Sequence, residues 1–327
     1  MRVTILHTDD AAGPPEDPVL GQLEGALREE GHEVSRVVVA DRVPPLVDAL
    51  CANPPELVFN LAESFGGKSA LESNIAALLN LLHLRYTGSS PAGLLLAGDK
   101  SIAKKVLGFH GIATPEGATV YRGDLDWAGK LHFPVIVKPP QEDASLGVTA
   151  ESVVRNLQEL LETMSAIGRE FSQPVLIEEF IDGREFYVGI LGNESPKPLP
   201  VMELDFTGFP AGRPRIASFE AKWGDGGAGQ GAEFAGTRSI FPEHVDEELL
   251  RKMQATAVEA FRALRLRDYA RIDLRVTDAG QVYVIEANPN CYLERNAEFA
   301  RAAERAGLSY RELIHGIVEL ASARYAR

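Results

Sequence analysis

The chain has 327 residues, enough for two or three domains, and its 45% hydrophobic and 24% charged content is ordinary for a water-soluble globular protein. A net charge of −14 argues against nucleic acid as the main partner, and no apolar run is long enough to span a membrane. Cys51 and Cys291 are too few for a disulfide framework and lack metal-ligand spacing. Met1-Arg-Val-Thr-Ile-Leu-His7 enters a first strand with no sign of a signal peptide, so a cytoplasmic protein is expected.

In chain order, residues 2–6 read as a strand and 18–30 as a helix stopped by Gly31. Residues 34–39 and 57–60 read as strands, 71–82 as a helix and 85–88 as a short strand. This alternation predicts a small parallel sheet, and residues 1–92 are taken as one unit. A second unit, 93–191, opens with Asp99-Lys100 and a helix to about His110. It continues with a strand at Pro134-Val-Ile-Val-Lys-Pro139, a polar loop holding Ser145 and Gly147, and a helix over 152–166. A strand over 174–181 follows, and the turn Asp182-Gly183 leads into Phe186–Leu191. The third unit, 192–327, has a Gly-rich loop at 224–231, a helix near 245–264, a hairpin, and a last helix from about Tyr310.

The hairpin carries the most chemistry. Arg271-Ile-Asp-Leu-Arg275 and Val284-Ile-Glu-Ala-Asn288 flank a turn at Thr277-Asp-Ala-Gly280. Alternation puts Arg271 and Asp273 on one face, and Glu286 and Asn288 on one face of the partner. Four polar residues on otherwise apolar strands are costly in a plain core. Asp, Glu and Asn supply hard oxygen ligands for Mg²⁺, and an Arg beside them holds a carboxylate or a developing oxyanion.

Other motifs are weaker alone. Lys138 could be a solvated strand-end lysine; Lys100 and the small residues of the Ser145 loop favour a phosphate-holding cation instead. Glu178-Glu-Phe-Ile181 and Glu185 read either as a charged edge or as a hinge on adenine, with Glu185 on ribose hydroxyls. Lys222 precedes the Gly-rich loop, which is either a mere linker or a lid over phosphates; its Gly224-x-Gly226-x-x-Gly229 pattern lacks a preceding strand. Gly66-Gly-Lys-Ser69 lacks the first glycine of a P-loop, and Cys291, with no His nearby, reads as a packing residue.

Taken in order, Phe59-Asn60, Tyr86-Thr-Gly-Ser89, Asp99-Lys100, Pro134–Pro139, Ser145-Leu-Gly147, Val175–Glu178, Gly183-Arg-Glu185, Ala221-Lys-Trp223, Arg271-Ile-Asp273, Glu286-Ala-Asn288 and Ala306-Gly-Leu-Ser309 resemble the ATP-grasp carboxylate–amine ligases, and among them the D-alanine–D-alanine ligase family. The resemblance implies an α/β (α+β) chain with an ATP-grasp fold behind an N-terminal Rossmann-like domain. It implies a ligase that makes an acyl phosphate from ATP and a carboxylate, then an amide. Lys100, Lys138, Ser145, Glu178, Glu179, Phe180, Ile181, Glu185, Lys222, Ile285 and Asn288 become the ATP site. Asp273, Glu286 and Asn288 become ligands for two Mg²⁺ ions, with Mn²⁺ as an alternative. Arg271 and Lys222 become the catalytic cations, and a homodimer is expected.

The substrate positions depart from the family. Where its ligases have a Ser-Leu pair on the acceptor carboxylate, this chain has Ala297-Glu298; the Pro-Gly before it is Cys291-Tyr292. The family's His-Gly is Glu63-Ser64, and its Gly-Glu-Asp-Gly is Gly67-Lys-Ser-Ala70. A glycine and serine of the phosphate loop are Asp143 and Ala144. Glu16 is the loosely aligned carboxylate for the first substrate's amine. Rebuilt pockets around retained ATP machinery predict an amino acid or small peptide substrate other than a D-alanine pair. Two rival expectations are an authentic D-alanine–D-alanine ligase and a nucleotide-binding protein without catalysis; the four polar hairpin residues speak against the latter.

Overall fold

The computed structural model describes all residues except 9–16, 122–123, 126–131, 172–173, 225–228 and 327. The first section holds β1 (Arg2–Thr8), α1 (Pro18–Glu29), β2 (Glu33–Val39), α2 (Val43–Ala52), β3 (Leu57–Leu61), α3 (Glu72–Leu81) and α4 (Pro91–Gly98). Its three strands pair in parallel in the order β2-β1-β3, as the alternation predicted. Asp17 starts α1 by accepting from the Val19 amide at 2.9 Å, a cap of about 1 kcal/mol. The expected strand at 85–88 is reduced to a single bridge between Val58 and Tyr86, because Arg267 and Arg324 draw that segment toward the C-terminal section: they donate to the Gly88 and Tyr86 carbonyls at 3.2 and 3.0 Å.

The middle section holds α5 (Lys100–Phe109), β4 (Gly117–Tyr121), β5 (Asp124–Leu125), β6 (Val135–Lys138), β7 (Val153–Val154), α6 (Leu157–Phe171) and β8 (Val175–Glu179). Its sheet is antiparallel in the order β5-β4-β8-β6-β7. The helix expected over 152–166 begins five residues later, since Val153 and Val154 are drawn into β7 opposite Ile136 and Val135.

The last section holds β9 (Arg184–Leu191), β10 (Lys197–Pro198), β11 (Met202–Asp205), α7 (Phe219–Trp223), α8 (Ala232–Ala235), β12 (Arg238–Ile240), α9 (Glu247–Ala263), β13 (Tyr269–Val276), β14 (Val282–Pro289), α10 (Glu298–Arg305) and α11 (Tyr310–Tyr325). Its sheet runs β12-β11-β9-β13-β14, with β10 on β9. β9, grouped by sequence with the middle unit, lies between β11 and β13. The chain crosses from one sheet to the other at Gly183, where φ is +158° and an added Cβ would strike the Val276 carbonyl oxygen at 2.2 Å. The hairpin turn is as expected: Gly280 has φ +73° and donates to the Thr277 carbonyl at 2.9 Å. Between Asp273 and Leu274 the register slips by one, and Ile285 is the extra residue of the bulge.

One core joins the first and last sections, with Ile5, Leu23 and Phe59 buried among Leu293, Phe299 and Leu313. The middle sheet has its own small core of Val135, Val137, Val154, Ile167, Val175 and Ile177. Asp268, fully buried, ties the sections together. It accepts from the Gly88 amide at 2.7 Å, Asn193 Nδ2 at 2.9 Å and Arg324 Nη2 at 2.8 Å. Asn290 adds a second tie, its Oδ1 accepting from the Ser89 amide at 2.8 Å.

Candidate active site

The ladder places Asp273 opposite Glu286 and Arg271 opposite Asn288, so the four polar side chains form one strip. Asp273 is 2% exposed and accepts bidentately from Arg271, Nε at 2.7 Å and Nη2 at 2.9 Å. Burial raises the Asp273 pKa above that of an ordinary aspartate, with Arg271 opposing the rise. Glu286 lies 2.7 Å from Lys100 Nζ. Burial alone would raise its pKa, but Lys100 and Lys222 outweigh burial and push it down to about 2. In Lys100 burial lowers the pKa, and Glu286 and Asp143 more than reverse this. Lys100 is placed by Asp99, which caps α5 by accepting from the Ser101 and Ile102 amides at 2.9 and 3.1 Å.

Because the folded-state pKa of Glu286 lies below its unfolded value, the stability it contributes is present above about pH 4.3 and is lost as pH falls toward 2. Wild-type protein is therefore expected to lose more of its thermal midpoint between pH 6 and pH 3 than Glu286→Gln. Equal slopes in a pair of melting series would rule out the Glu286–Lys100 pair as an acid-sensitive contact.

A cleft with about 750 Å³ of empty space lies between the middle sheet and the last one. It gathers Lys100, Lys138, Ser145, Glu178, Glu179, Phe180, Ile181, Glu185, Lys222, Asp273, Ile285 and Glu286 from the expected site. Lys222 reaches it from α7, whose cap Ser218 is held by the buried Glu233 at 2.7 Å. The loop before β7 takes Ala144 and Ser145 into left-handed backbone, φ +54° and +62°, a conformation costing side-chain-bearing residues about 1–2 kcal/mol each. Such cost concentrates at functional loops. Ser145 Oγ donates to the Ala217 carbonyl at 2.7 Å, and Trp223 Nε1 to the Ala144 carbonyl at 2.9 Å, so this loop and α7 are fastened together.

Several expected residues are already engaged. Glu178 lies 3.2 Å from Lys138 and 3.5 Å from Lys104; burial raises its pKa, but the two lysines outweigh burial and hold it below that of an ordinary glutamate. Glu185 accepts from Tyr187 Oη at 3.1 Å and Arg275 Nη2 at 3.0 Å. The Glu179 and Phe180 amides donate to the Glu116 and Pro134 carbonyls, whereas the Ile181 amide has no backbone acceptor among the described residues.

Other expected residues lie outside this cleft. Arg271 and Glu298 lie together with Tyr187, Gly189 and Met202 in a tightly packed crevice that has no room for a water molecule. Glu63 is exposed on the loop after β3, Ala297 is the cap residue of α10, and Glu16 lies outside the described residues. The central part of the expected lid, 225–228, also lies outside them. Lys68 of the P-loop look-alike is exposed, and Cys291 is a core residue whose thiol pKa burial pushes up, the opposite of an activated nucleophile.

Sequence reasoning missed Lys104 and Arg275. Lys104 stands one turn after Lys100 on α5, and Arg275 continues the Arg271–Asp273 alternation on β13, so helix and strand periods carried both signals.

The donor set of the strip fits Mg²⁺: two carboxylates and an amide oxygen are hard ligands. Asn288 Nδ2 is buried with no hydrogen-bond partner, an orphaned donor that suits an acceptor oxygen such as a phosphate's, whereas a metal would take the Oδ1 of the same amide. No group of three or more His, Cys, Asp or Glu able to hold a metal occurs among the described residues, so further ligands have to come from phosphate oxygens or water.

Two sheets enclosing a lysine-lined cleft over a carboxylate strip have the architecture expected of the ATP-grasp class. Residues 121–319 match the family model described as D-ala D-ala ligase C-terminus. The chain is 33% identical to the uncharacterized protein y4sG of Sinorhizobium fredii (strain NBRC 101917 / NGR234), over 95% of this chain and 89% of that one. It is 30% identical to a D-alanine–D-alanine ligase of Aquifex aeolicus (strain VF5), over 90% and 91% respectively. Its fold matches a D-alanine–D-alanine ligase from Bacillus anthracis complexed with ATP, with a TM-score of 0.76, 22% identity, and 99% and 98% coverage. The chain belongs to the D-alanine–D-alanine ligase family.

Proposed function

We propose that this protein uses ATP and Mg²⁺ to join the carboxylate of an amino acid or small peptide to an amine, with pockets unlike those for a D-alanine pair. The observation that carries this is the convergence of Lys100, Lys138 and Lys222 with Asp273 and Glu286 in one cleft. The Aquifex relative bears the name of such a ligase, and the Bacillus structure was complexed with ATP.

In this reading the adenine lies along Glu179–Ile181, where the Ile181 amide is open to a ring nitrogen, and the ribose lies at Glu185. Lys100, Lys138 and Lys222 hold phosphate oxygens. Asp273, Glu286 and Asn288 would hold two Mg²⁺ ions, which would supply charge neutralisation for phosphoryl transfer. A carboxylate oxygen attacks the γ-phosphorus and ADP leaves. The amine nitrogen then attacks the acyl carbon of the acyl phosphate, phosphate leaves, and the amine proton is lost. Arg271 holds Asp273 in place, and the family resemblance assigns it the developing oxyanion, for which its contact with Glu298 would have to open. The same proposal includes a homodimer, a cytoplasmic setting, and three units, the boundary expected near residue 191 moving back to Gly183 because β9 belongs to the last sheet. No helix among the described residues is long and apolar enough to cross a membrane.

The test is ADP release with Mg²⁺-ATP across D- and L-amino acids, singly and in pairs. Stimulation by a pair other than D-alanine supports the reading. Saturable stimulation by D-alanine alone shows an authentic D-alanine–D-alanine ligase. ATP binding with no stimulation across the panel would sink the ligase reading for amino acids. Lys222→Ala is expected to lower kcat more than nucleotide affinity, since a group closing over reacting phosphates acts chiefly in the transition state. A fall in affinity alone, measured by nucleotide titration beside steady-state rates, would assign Lys222 to ground-state binding.

A further inference from the structure

We infer that Lys104, which stands behind the wall of the cleft, fixes the choice of adenine over a 6-oxopurine base by keeping the Glu178 carboxylate a hydrogen-bond acceptor; the inference rests on the nucleotide site of the ligase reading above.

Glu178 lines the cleft, whereas Lys104 does not. Lys104 comes from α5, one turn after Lys100, and its Nζ stands 3.5 Å from Glu178 Oε1. Across the β4–β8 ladder Glu178 lies opposite Gly117, and the missing side chain there leaves room for the pair. A Cβ on Gly117 would lie 3.2 Å from Lys104 Cε, 3.3 Å from Glu178 Cγ and 2.9 Å from the Ile177 carbonyl oxygen. The pair is enclosed, with Glu178 2% exposed and the Lys104 side chain 15%. Glu178 Oε1 is buried and accepts no hydrogen bond, so the Lys104 charge is what faces it.

Lys138 stands at the other oxygen, 3.2 Å from Oε2, but it lines the cleft and in the ligase reading also serves phosphate oxygens. Lys104 is therefore the counter-charge that Glu178 keeps when nucleotide is bound. Against burial, which raises the Glu178 pKa, the Lys104 charge is the largest single opposing influence. With adenine along Glu179–Ile181, Glu178 is the carboxylate for its C6 amino group and the Ile181 amide serves N1. An ionised carboxylate only accepts hydrogen bonds, so it fits that amino group and repels the C6 carbonyl of a 6-oxopurine. A protonated carboxyl group would donate to the carbonyl instead. Lys104 opposes that protonation, since a neutral Glu178 leaves a buried ammonium without its counter-charge. Lys104 is thus a positioning residue, acting on the base only through Glu178.

The probes are Mg²⁺-ATP and Mg²⁺-ITP, the second carrying a C6 carbonyl in place of the amino group. Each is titrated calorimetrically into the full-length protein without amino acids. Wild type is expected to bind ATP about 10–100-fold more tightly than ITP, the range for a hydrogen bond to a charged group. Lys104→Met is expected to cut that ratio by about tenfold, ITP gaining as ATP loses, with the circular dichroism spectrum unchanged. A loss of packing alone would weaken both nucleotides alike and leave the ratio unmoved. Adding Lys104→Met to Glu178→Gln is expected to change the ratio no further, because the lysine acts through that carboxylate. Lys104→Gln is the second variant should Lys104→Met fail to fold. A wild-type ratio near one, an unchanged ratio in a folded Lys104 variant, or a further fall in the double variant overturns the inference. If ATP still binds and amino acids stimulate ADP release, that outcome leaves the ligase reading standing. Discrimination that depends on Lys104 without ADP release on any amino acid ends the ligase reading alone, and no nucleotide binding by wild type ends both.

Discussion

Glu286→Gln is expected to lower the rate of ADP release by about 10²–10³-fold while the protein stays folded, on the scale of removing one preorganised electrostatic group. The carboxylate stands opposite Asp273 in the ladder and 2.7 Å from Lys100, at the floor of the cleft. Its neutral isostere keeps the shape but removes one of the two carboxylate charges that face the lysines and that, in the proposed function, would hold Mg²⁺. Lys100 keeps a partner in the Glu142 carbonyl at 2.6 Å, so the substitution does not strand a buried ammonium. Steady-state ADP release and circular dichroism on the same preparation decide the matter. Full activity with an intact spectrum would remove Glu286 from the metal set, and loss of the spectrum would make it a folding residue.

Asp268→Ala is expected to cost about 3–5 kcal/mol, the range for breaking a buried charge pair from one side. The carboxylate is fully buried and holds Arg324, Asn193 and the Gly88 amide at once. Removing it leaves the Arg324 charge without its carboxylate and the Gly88 amide without an acceptor. Asp268 also has φ +61°, a left-handed conformation that Asp and Asn tolerate better than Ala. Asp268→Asn should therefore lose less. The thermal midpoints of the two variants, compared with wild type, test this order. An Ala variant as stable as wild type would show that the carboxylate is dispensable to the three-way contact.

The hairpin was legible because alternation is a local property. Once 271–275 and 284–288 are read as strands, the common face of Arg271 and Asp273, and that of Glu286 and Asn288, follow without tertiary knowledge. The partnership of Glu178 was not legible, since Lys104 and Lys138 come to it from a helix and a neighbouring strand. α4 escaped because Pro91-Ala-Gly-Leu-Leu-Leu-Ala-Gly98 has too little polar patterning for a period, although Ser90 and Pro91 form a helix-start signal. The bulge that sets Ile285 at the cleft is a register event between two strands, and no single strand encodes it. Family resemblance pointed to Glu298 as a changed substrate position; only the folded chain shows it turned toward Arg271.

The separate core of the middle sheet bears on how the molecule can change over time. The apolar residues packing the first and last sections belong to one cluster, so a substitution there is felt by both. The six valines and isoleucines under the middle sheet form a cluster of their own. Drift in that layer can alter the packing of the middle sheet without weakening the joint between the first and last sections. The two layers are thus open to selection independently of one another.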